Sequence, residues 1–152
     1  VRRMIKVVFV DDHEMVRIGV SSYLSAQPDI EVIGEADNGK TGVEMVLELR
    51  PDIVLLDLVM KEMDGIEATR QLAGAGVENP IPVVIITTFD VDEYVYNALK
   101  AGARGFLLKD ADQDLLVQAI HAAASGEALV APNITARLLE TFARNERPGV
   151  PP

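Results

Sequence analysis

The sequence contains no cysteine. That absence excludes a disulfide framework, a zinc ribbon and a thiol nucleophile together, and it suits a reducing cytoplasmic compartment. Basic residues are also scarce: Lys plus Arg number 14 against 24 Asp plus Glu, a net charge of −10. Phosphate contacts need Lys and Arg clustered on one face, so these residues are not expected to bind nucleic acid directly. No apolar run approaches the roughly 18 residues that a membrane span needs. Asp11 and Asp12 interrupt the apolar stretch after Val1-Arg2-Arg3-Met4, so no leader is read there. What is present is 152 residues with 49% apolar content. That length and apolar content fit one core and argue against an acidic disordered tail. The expectation is one soluble, intracellular globular domain.

Five short apolar runs recur along the chain: Ile5 to Val10, Ile30 to Gly34, Ile53 to Leu56, Val83 to Thr88 and Gly105 to Leu108. Their length and β-branched content predict strands, and most are apolar at consecutive positions, as in parallel strands covered on both faces. Segments with helical spacing lie between them: Val16, Val20 and Leu24; Val43, Val46 and Leu47; Val91, Val95 and Leu99; Leu116, Ala119, Ile120 and Ala123. A shorter helix fits Gly65 to Ala73, ended by Gly74 and Gly76. Five βα units with right-handed crossovers predict an α/β doubly wound parallel sheet of order 2-1-3-4-5. Its ligand crevice then lies where strands 1 and 3 end side by side. After a stop at Gly126, Leu129 and Val130 suit a short extended piece, and Pro132 opens a sixth helix carrying Ile134, Leu138 and Phe142. Arg147 to Pro152 is rich in proline without periodicity and reads as a linker.

The strand ends carry the chemistry. Strand 1 runs into Asp11-Asp12, strand 3 into Asp57, strand 4 into Thr87-Thr88 and strand 5 into Lys109. Two bare carboxylates 4 Å apart repel by about 4 kcal/mol at an effective dielectric near 20. Three in one crevice make sense around a divalent cation, and all-oxygen ligation is the habit of Mg²⁺. Carboxylates, a hard metal, a hydroxyl and an ammonium form a phosphoryl-transfer set in which one carboxylate can be the nucleophile. Singly, each member has a plainer reading. Asp11 or Asp12 could cap a helix, Thr87 could be a β-branched strand residue and Lys109 a solvated strand end. It is the agreement of the strand ends at one edge that carries the inference. Asp64-Gly65 reads as a turn and helix cap, and His13 and His121 receive no role because neither has partners at ligand or relay spacing.

From about Ile5 to Gly126 these residues resemble the receiver domain of two-component response regulators. Val7-Val8-Phe9-Val10-Asp11-Asp12 is similar to the acidic pair after strand 1, and Asp57 in Val54-Leu55-Leu56-Asp57-Leu58 to the phosphoacceptor. Thr87 matches the switch hydroxyl, and Gly102 to Lys109 matches the strand that carries the switch aromatic, Phe106, and the lysine. Asp11-Asp12-His13 and Phe106-Leu107-Leu108-Lys109-Asp110 resemble the NarL/LuxR subfamily in particular. The resemblance implies that Asp12, Asp57 and the main-chain carbonyl of Val59 ligate Mg²⁺, with Asp11 acting through water. It further implies that Asp57 takes a phosphoryl group from a phosphohistidine on a sensor histidine kinase. Thr87 would then swing toward the phosphate, Phe106 would turn inward, and a homodimer would form through helices 1 and 5 or helices 4 and 5. Residues 1–126 would be the receiver, and residues 127–152 a linker helix and proline-rich stub leading to a helix-turn-helix output domain that controls transcription. Such a chain is not a turnover enzyme and meets DNA only through that absent domain. Lys61 and Asp110 stand where the family often has proline. Val59 and Phe89, at positions that gate hydrolytic water in many receivers, are apolar, which implies slow autodephosphorylation.

Rival readings fit less well. A haloacid-dehalogenase-like phosphatase needs Asp-x-Asp-x-Thr after strand 1, where this chain has Asp11-Asp12-His13-Glu14-Met15. A nucleotide- or flavin-binding domain of the same architecture needs a Gly- or Ser/Thr-rich phosphate cradle there, not two carboxylates. An unphosphorylated pseudo-receiver acting only as an interaction module would have no need of the full set Asp11, Asp12, Asp57, Thr87 and Lys109.

Overall fold

A computed structural model describes residues 4–60, 62–88 and 92–145. Consecutive apolar residues make its centre. Val7 to Val10 in β1 (Ile5–Val10), all of β3 (Ile53–Leu56) and all of β4 (Val83–Thr87) are buried, with helices packed over both sheet faces. β2 (Ile30–Ala36) and β5 (Gly105–Leu108) flank them, and every pairing is parallel. The expected order 2-1-3-4-5 is present, and β6 (Leu129–Val130) adds a sixth strand beside β5. β2 runs two residues past the apolar stretch expected, through Glu35 and Ala36. As an edge strand it needs only one side of its ladder paired and tolerates polar residues. Between Val7 and Val8 its register slips by one residue, a bulge at Ile33.

The helices follow from capping and stripes. In α2 (Gly39–Leu49), Asn38 caps by accepting from Thr41 N at 2.8 Å. In α3 (Gly65–Ala73), Asp64 accepts from Glu67 N at 2.8 Å, the cap read from the sequence. Asp112 caps α5 (Gln113–Ala124) in the same way. α1 (Glu14–Ser25) buries Leu24 and partly buries Val16 and Val20. Leu47 of α2 is 49% exposed instead of sharing the buried face of Val43 and Val46. It stands one position, about 100°, beyond Val46 and so turns off the stripe. α4 (Asp92–Lys100) buries Val95, while Val91 of the expected stripe lies outside the described residues.

β6 leads straight into α6 (Pro132–Asn145), which packs against α4. Leu129 N donates to Arg104 O at 2.9 Å and Ala131 N to Phe106 O at 3.2 Å, so the ladder of β5 is continued, and Ile134 is fully buried in the common core. The side chains of Leu138 and Phe142, and the stretch Arg147 to Pro152, lie outside the described residues. Truncating a fully buried isoleucine leaves a cavity and costs about 2–5 kcal/mol. Ile134→Ala is therefore expected to lower the urea midpoint of the whole domain in a single transition. A separate early transition, or no change, would mean that β6 and α6 are not part of the folding unit.

Candidate functional site

The main chain laces the strand ends together before any side chain takes part. Asp11 N donates to Ala36 O at 3.0 Å, Asp57 N to Val10 O at 3.0 Å and Lys109 N to Thr87 O at 2.8 Å. The first residue past the end of β1, β3 and β5 is thus still held by a neighbouring strand, and with Thr87, the last residue of β4, Asp11, Asp57 and Lys109 line one edge. Asp11, Asp57 and Thr87 are buried.

The Lys109 ammonium bridges two of the carboxylates, lying 2.8 Å from Asp11 Oδ2 and 3.1 Å from Asp57 Oδ2. Burial pushes this ammonium toward its neutral form, but Asp11 and Asp57 together outweigh that and hold its pKa above the ordinary lysine value. A raised lysine pKa stabilises the fold fully below the unfolded value near 10.4 and loses that contribution only as pH rises through the folded value. The bridge is therefore charged and intact across the neutral range. Asp57 Oδ1 accepts from Leu58 N at 2.7 Å, and Asp11 Oδ1 accepts from His13 N at 2.8 Å. The turn after Asp57 is closed by Gly65 N donating to Leu58 O at 2.7 Å. A Cβ at Gly65 would strike the Asp57 carbonyl and sit 2.7 Å from Leu58 Cα, which is why glycine follows the Asp64 cap.

Three carboxylates with one ammonium leave two negative charges uncompensated. One oxygen of Asp12, Oδ1, is buried without a hydrogen-bond partner, whereas Asp11 Oδ2 is paired with the ammonium. Orphaned buried acceptors are rare in folded proteins. Asp11, Asp12, His13 and Asp57 each offer a ligand atom within 4.8 Å of the others, three of them carboxylates, so the residues present fit a divalent metal.

Sequence reasoning missed His13. Its Nδ1 lies 3.2 Å from Asp11 Oδ1, 3.4 Å from Asp12 Oδ1 and 3.0 Å from Lys109 Nζ. The signal was its place at the turn from β1 into α1, directly after the acidic pair, not any spacing to another ligand. His121 pairs instead with Asp29 at 3.0 Å, before β2 and away from the strand ends that carry the cluster. Phe106 is fully buried, with Ile85 and Val130 as its register partners, so it already stands inward here. Val59 is 45% exposed in the turn after Asp57. Phe89 and Lys61 lie outside the described residues, and the Lys109–Asp110 peptide is trans. A depression lined by Thr88, Leu108, Lys109 and Asp110 opens at the end of β5.

Residues 7–121 match the family model described as the response regulator receiver domain. The chain belongs to the response regulator receiver family. Among its relatives is the transcriptional regulatory protein LiaR of Bacillus subtilis (strain 168), 43% identical over 148 residues, which cover 97% of this chain and 69% of LiaR. The response regulator protein VraR of Staphylococcus aureus is 45% identical over 134 residues, 88% of this chain and 63% of VraR. This receiver therefore spans less than two thirds of VraR's length. A solved two-component response regulator of the LuxR family from Aurantimonas sp. SI85-9A1 superposes with a TM-score of 0.84 at 31% identity, covering 92% of this chain and 99% of that one. The receiver thus falls among NarL/LuxR-type regulators, with the flavodoxin-like fold expected from the sequence. Among the described residues no helix is long and apolar enough to cross a membrane.

The uncompensated charge makes a measurable statement. Asp12→Asn removes one of three crowded carboxylates, each pair of which repels by about 1–4 kcal/mol at 4 Å depending on screening. In chelator-treated buffer the variant is expected to be more stable than the parent by about 1 kcal/mol or more. Added millimolar Mg²⁺ is expected to stabilise the variant less than the parent. A variant less stable than the parent without metal would show that the cluster is not electrostatically frustrated.

Proposed function

We propose that this receiver is a phosphoacceptor switch in which Asp57 takes a phosphoryl group from a phosphohistidine of a partner sensor histidine kinase, with Mg²⁺ held at the strand ends. One observation carries the reading: a buried carboxylate, pinned by Leu58 N and Lys109, stands beside a buried Asp12 oxygen that no protein donor satisfies. Asp12, Asp57 and the Val59 main-chain carbonyl would hold the cation, and Asp11 would help through water. A bound Mg²⁺ supplies charge neutralisation at phosphoryl oxygens. An Asp57 carboxylate oxygen forms the new O–P bond as the N–P bond to the kinase imidazole breaks, and the imidazole keeps the bonding pair. Lys109, already held charged in the crevice, turns from Asp57 Oδ2 to an oxygen of the incoming group. Thr87 donates its hydroxyl to another.

The rest of the reading follows from the family and the longer relatives. Thr87 and Phe106 relay the change to the surface of α4, β5 and α5, and phosphorylation promotes a homodimer through helical faces. Residues 127–152 lead to a helix-turn-helix output domain, so that DNA binding and transcriptional control belong to the longer protein, in the cytoplasm. The domain performs its own phosphorylation and slow dephosphorylation without turnover of a separate substrate.

Mass spectrometry after incubation with acetyl phosphate and Mg²⁺ is expected to show a gain of one phosphoryl group, lost in Asp57→Ala; a gain that persisted in that variant would sink the assignment. Because neither Val59 nor Phe89 can orient water, Val59→Asn combined with Phe89→Glu is expected to shorten the lifetime of the phosphorylated form. An unchanged lifetime would remove both residues from hydrolytic gating.

A further inference from the structure

We propose that His13 is a nitrogen ligand of the metal at the strand ends, and that it biases this receiver's site toward borderline transition cations relative to Mg²⁺. The inference rests on the proposed metal-dependent reading and adds a residue that the family's ligand set does not supply.

Geometry carries it. His13 caps α1 in extended conformation (φ −93°, ψ 101°) and makes no side-chain capping bond. Its ring is therefore not used to start the helix. Its main-chain N–H is fixed to Asp11 Oδ1 at 2.8 Å, which turns the residue back over the strand end. From there Nδ1 stands 3.2 Å from Asp11 Oδ1, 3.4 Å from Asp12 Oδ1 and 3.9 Å from Asp57 Oδ2. Ligand atoms about 2.1 Å from a six-coordinate ion lie about 3.0 Å apart when adjacent and about 4.2 Å apart when opposite. Of the two carboxylates assigned as direct ligands, Asp12 Oδ1 at 3.4 Å stands nearer the adjacent separation and Asp57 Oδ2 at 3.9 Å nearer the opposite one.

The second observation is the buried Asp12 oxygen with no hydrogen-bond partner, the same atom that lies 3.4 Å from Nδ1. The His13 side chain, 57% exposed, is held over it by polar contacts and not by packing. Lys109 Nζ, 3.0 Å from Nδ1, is the competitor for the nitrogen lone pair. That ammonium has Asp11 and Asp57 as partners at 2.8 and 3.1 Å, so it can release the imidazole and remain paired.

The chemistry follows from donor type. Carboxylate, carbonyl and water suit Mg²⁺, whereas imidazole suits metals further along the series toward nickel and copper. Exchanging one hard oxygen or water for an imidazole raises affinity for Co²⁺ and barely changes it for Mg²⁺.

The test titrates the intact receiver with Mg²⁺ or Co²⁺ alone by isothermal calorimetry, and reads ¹⁴N coupling to bound Mn²⁺ by pulsed electron paramagnetic resonance. His13→Ala is expected to weaken Co²⁺ roughly tenfold while leaving Mg²⁺ little changed, and to abolish the nitrogen coupling seen in the parent. His13→Asn, which offers a hard amide oxygen, should keep Mg²⁺ binding without restoring Co²⁺. Equal losses for both metals, or coupling that survives His13→Ala, would overturn the ligand role while leaving the phosphoacceptor reading standing. Failure of the parent to bind any of the three ions would overturn both, and phosphorylation of Asp57 without a divalent ion would show that the broader reading had failed on its own.

Discussion

One ammonium holds the acidic strand ends together. Lys109 comes from the fifth strand's end and reaches Asp11 and Asp57 past the end of β4. Two carboxylates this buried, left without a counter-charge, would be strongly destabilising, since removing one partner of a buried ion pair costs about 3–5 kcal/mol. The sheet order is what makes the contact available. β1 and β3 are neighbours only because the chain reverses direction across the sheet after β2, and β5 reaches the same crevice by two further crossovers.

The same crowding that opposes folding is what the site has to offer a cation. The caps of α2, α3 and α5 accept from first-turn N–H groups, and the ladders of β1, β3 and β5 continue past the strand ends. Among the described residues, buried polar side-chain atoms without a hydrogen-bond partner are few: Asp11 Oδ2, which meets the ammonium, Asp12 Oδ1, and Ser21 Oγ on α1. Crowded like charges that the rest of the fold has to tolerate are the usual signature of a functional site, where local rules are broken at a cost borne elsewhere. The Gly65 approach to Asp57 belongs to the same design: the turn is packed tightly enough to fix the main chain after the carboxylate.

Much of this was readable from residue order. The apolar runs gave the strands because parallel strands buried on both faces leave little room for polar residues, and the order of βα units fixed which ends meet. Asp11, Asp12, Asp57, Thr87 and Lys109 stood out because each stands where an apolar run ends and the ends fall at one edge. Other features were not legible. Glu35 and Ala36 hid the true end of β2, since an edge strand admits charge. Leu47 looked apolar enough for the core but sits one residue off its helix stripe. His13 was overlooked because its partners come from two strand ends and a lysine 96 positions away, and only the turn of chain at α1 brings them round its ring. The participation of β6 in the sheet could not be read from two residues, because a strand that short has no period.

The sheet's two borders have a consequence of their own. At one border β2 carries Glu31 and Glu35 and a bulge at Ile33; at the other, β6 is two residues long and runs at once into Pro132 and a helix. Charge, a bulge, brevity and proline are the devices by which natural sheets refuse another strand. Neither border offers a flat ladder for edge-to-edge addition, the route by which such sheets aggregate or swap strands. A second copy of this chain would have to be met by the outward faces of helices, and the sheet stays closed whatever the state of its acidic rim.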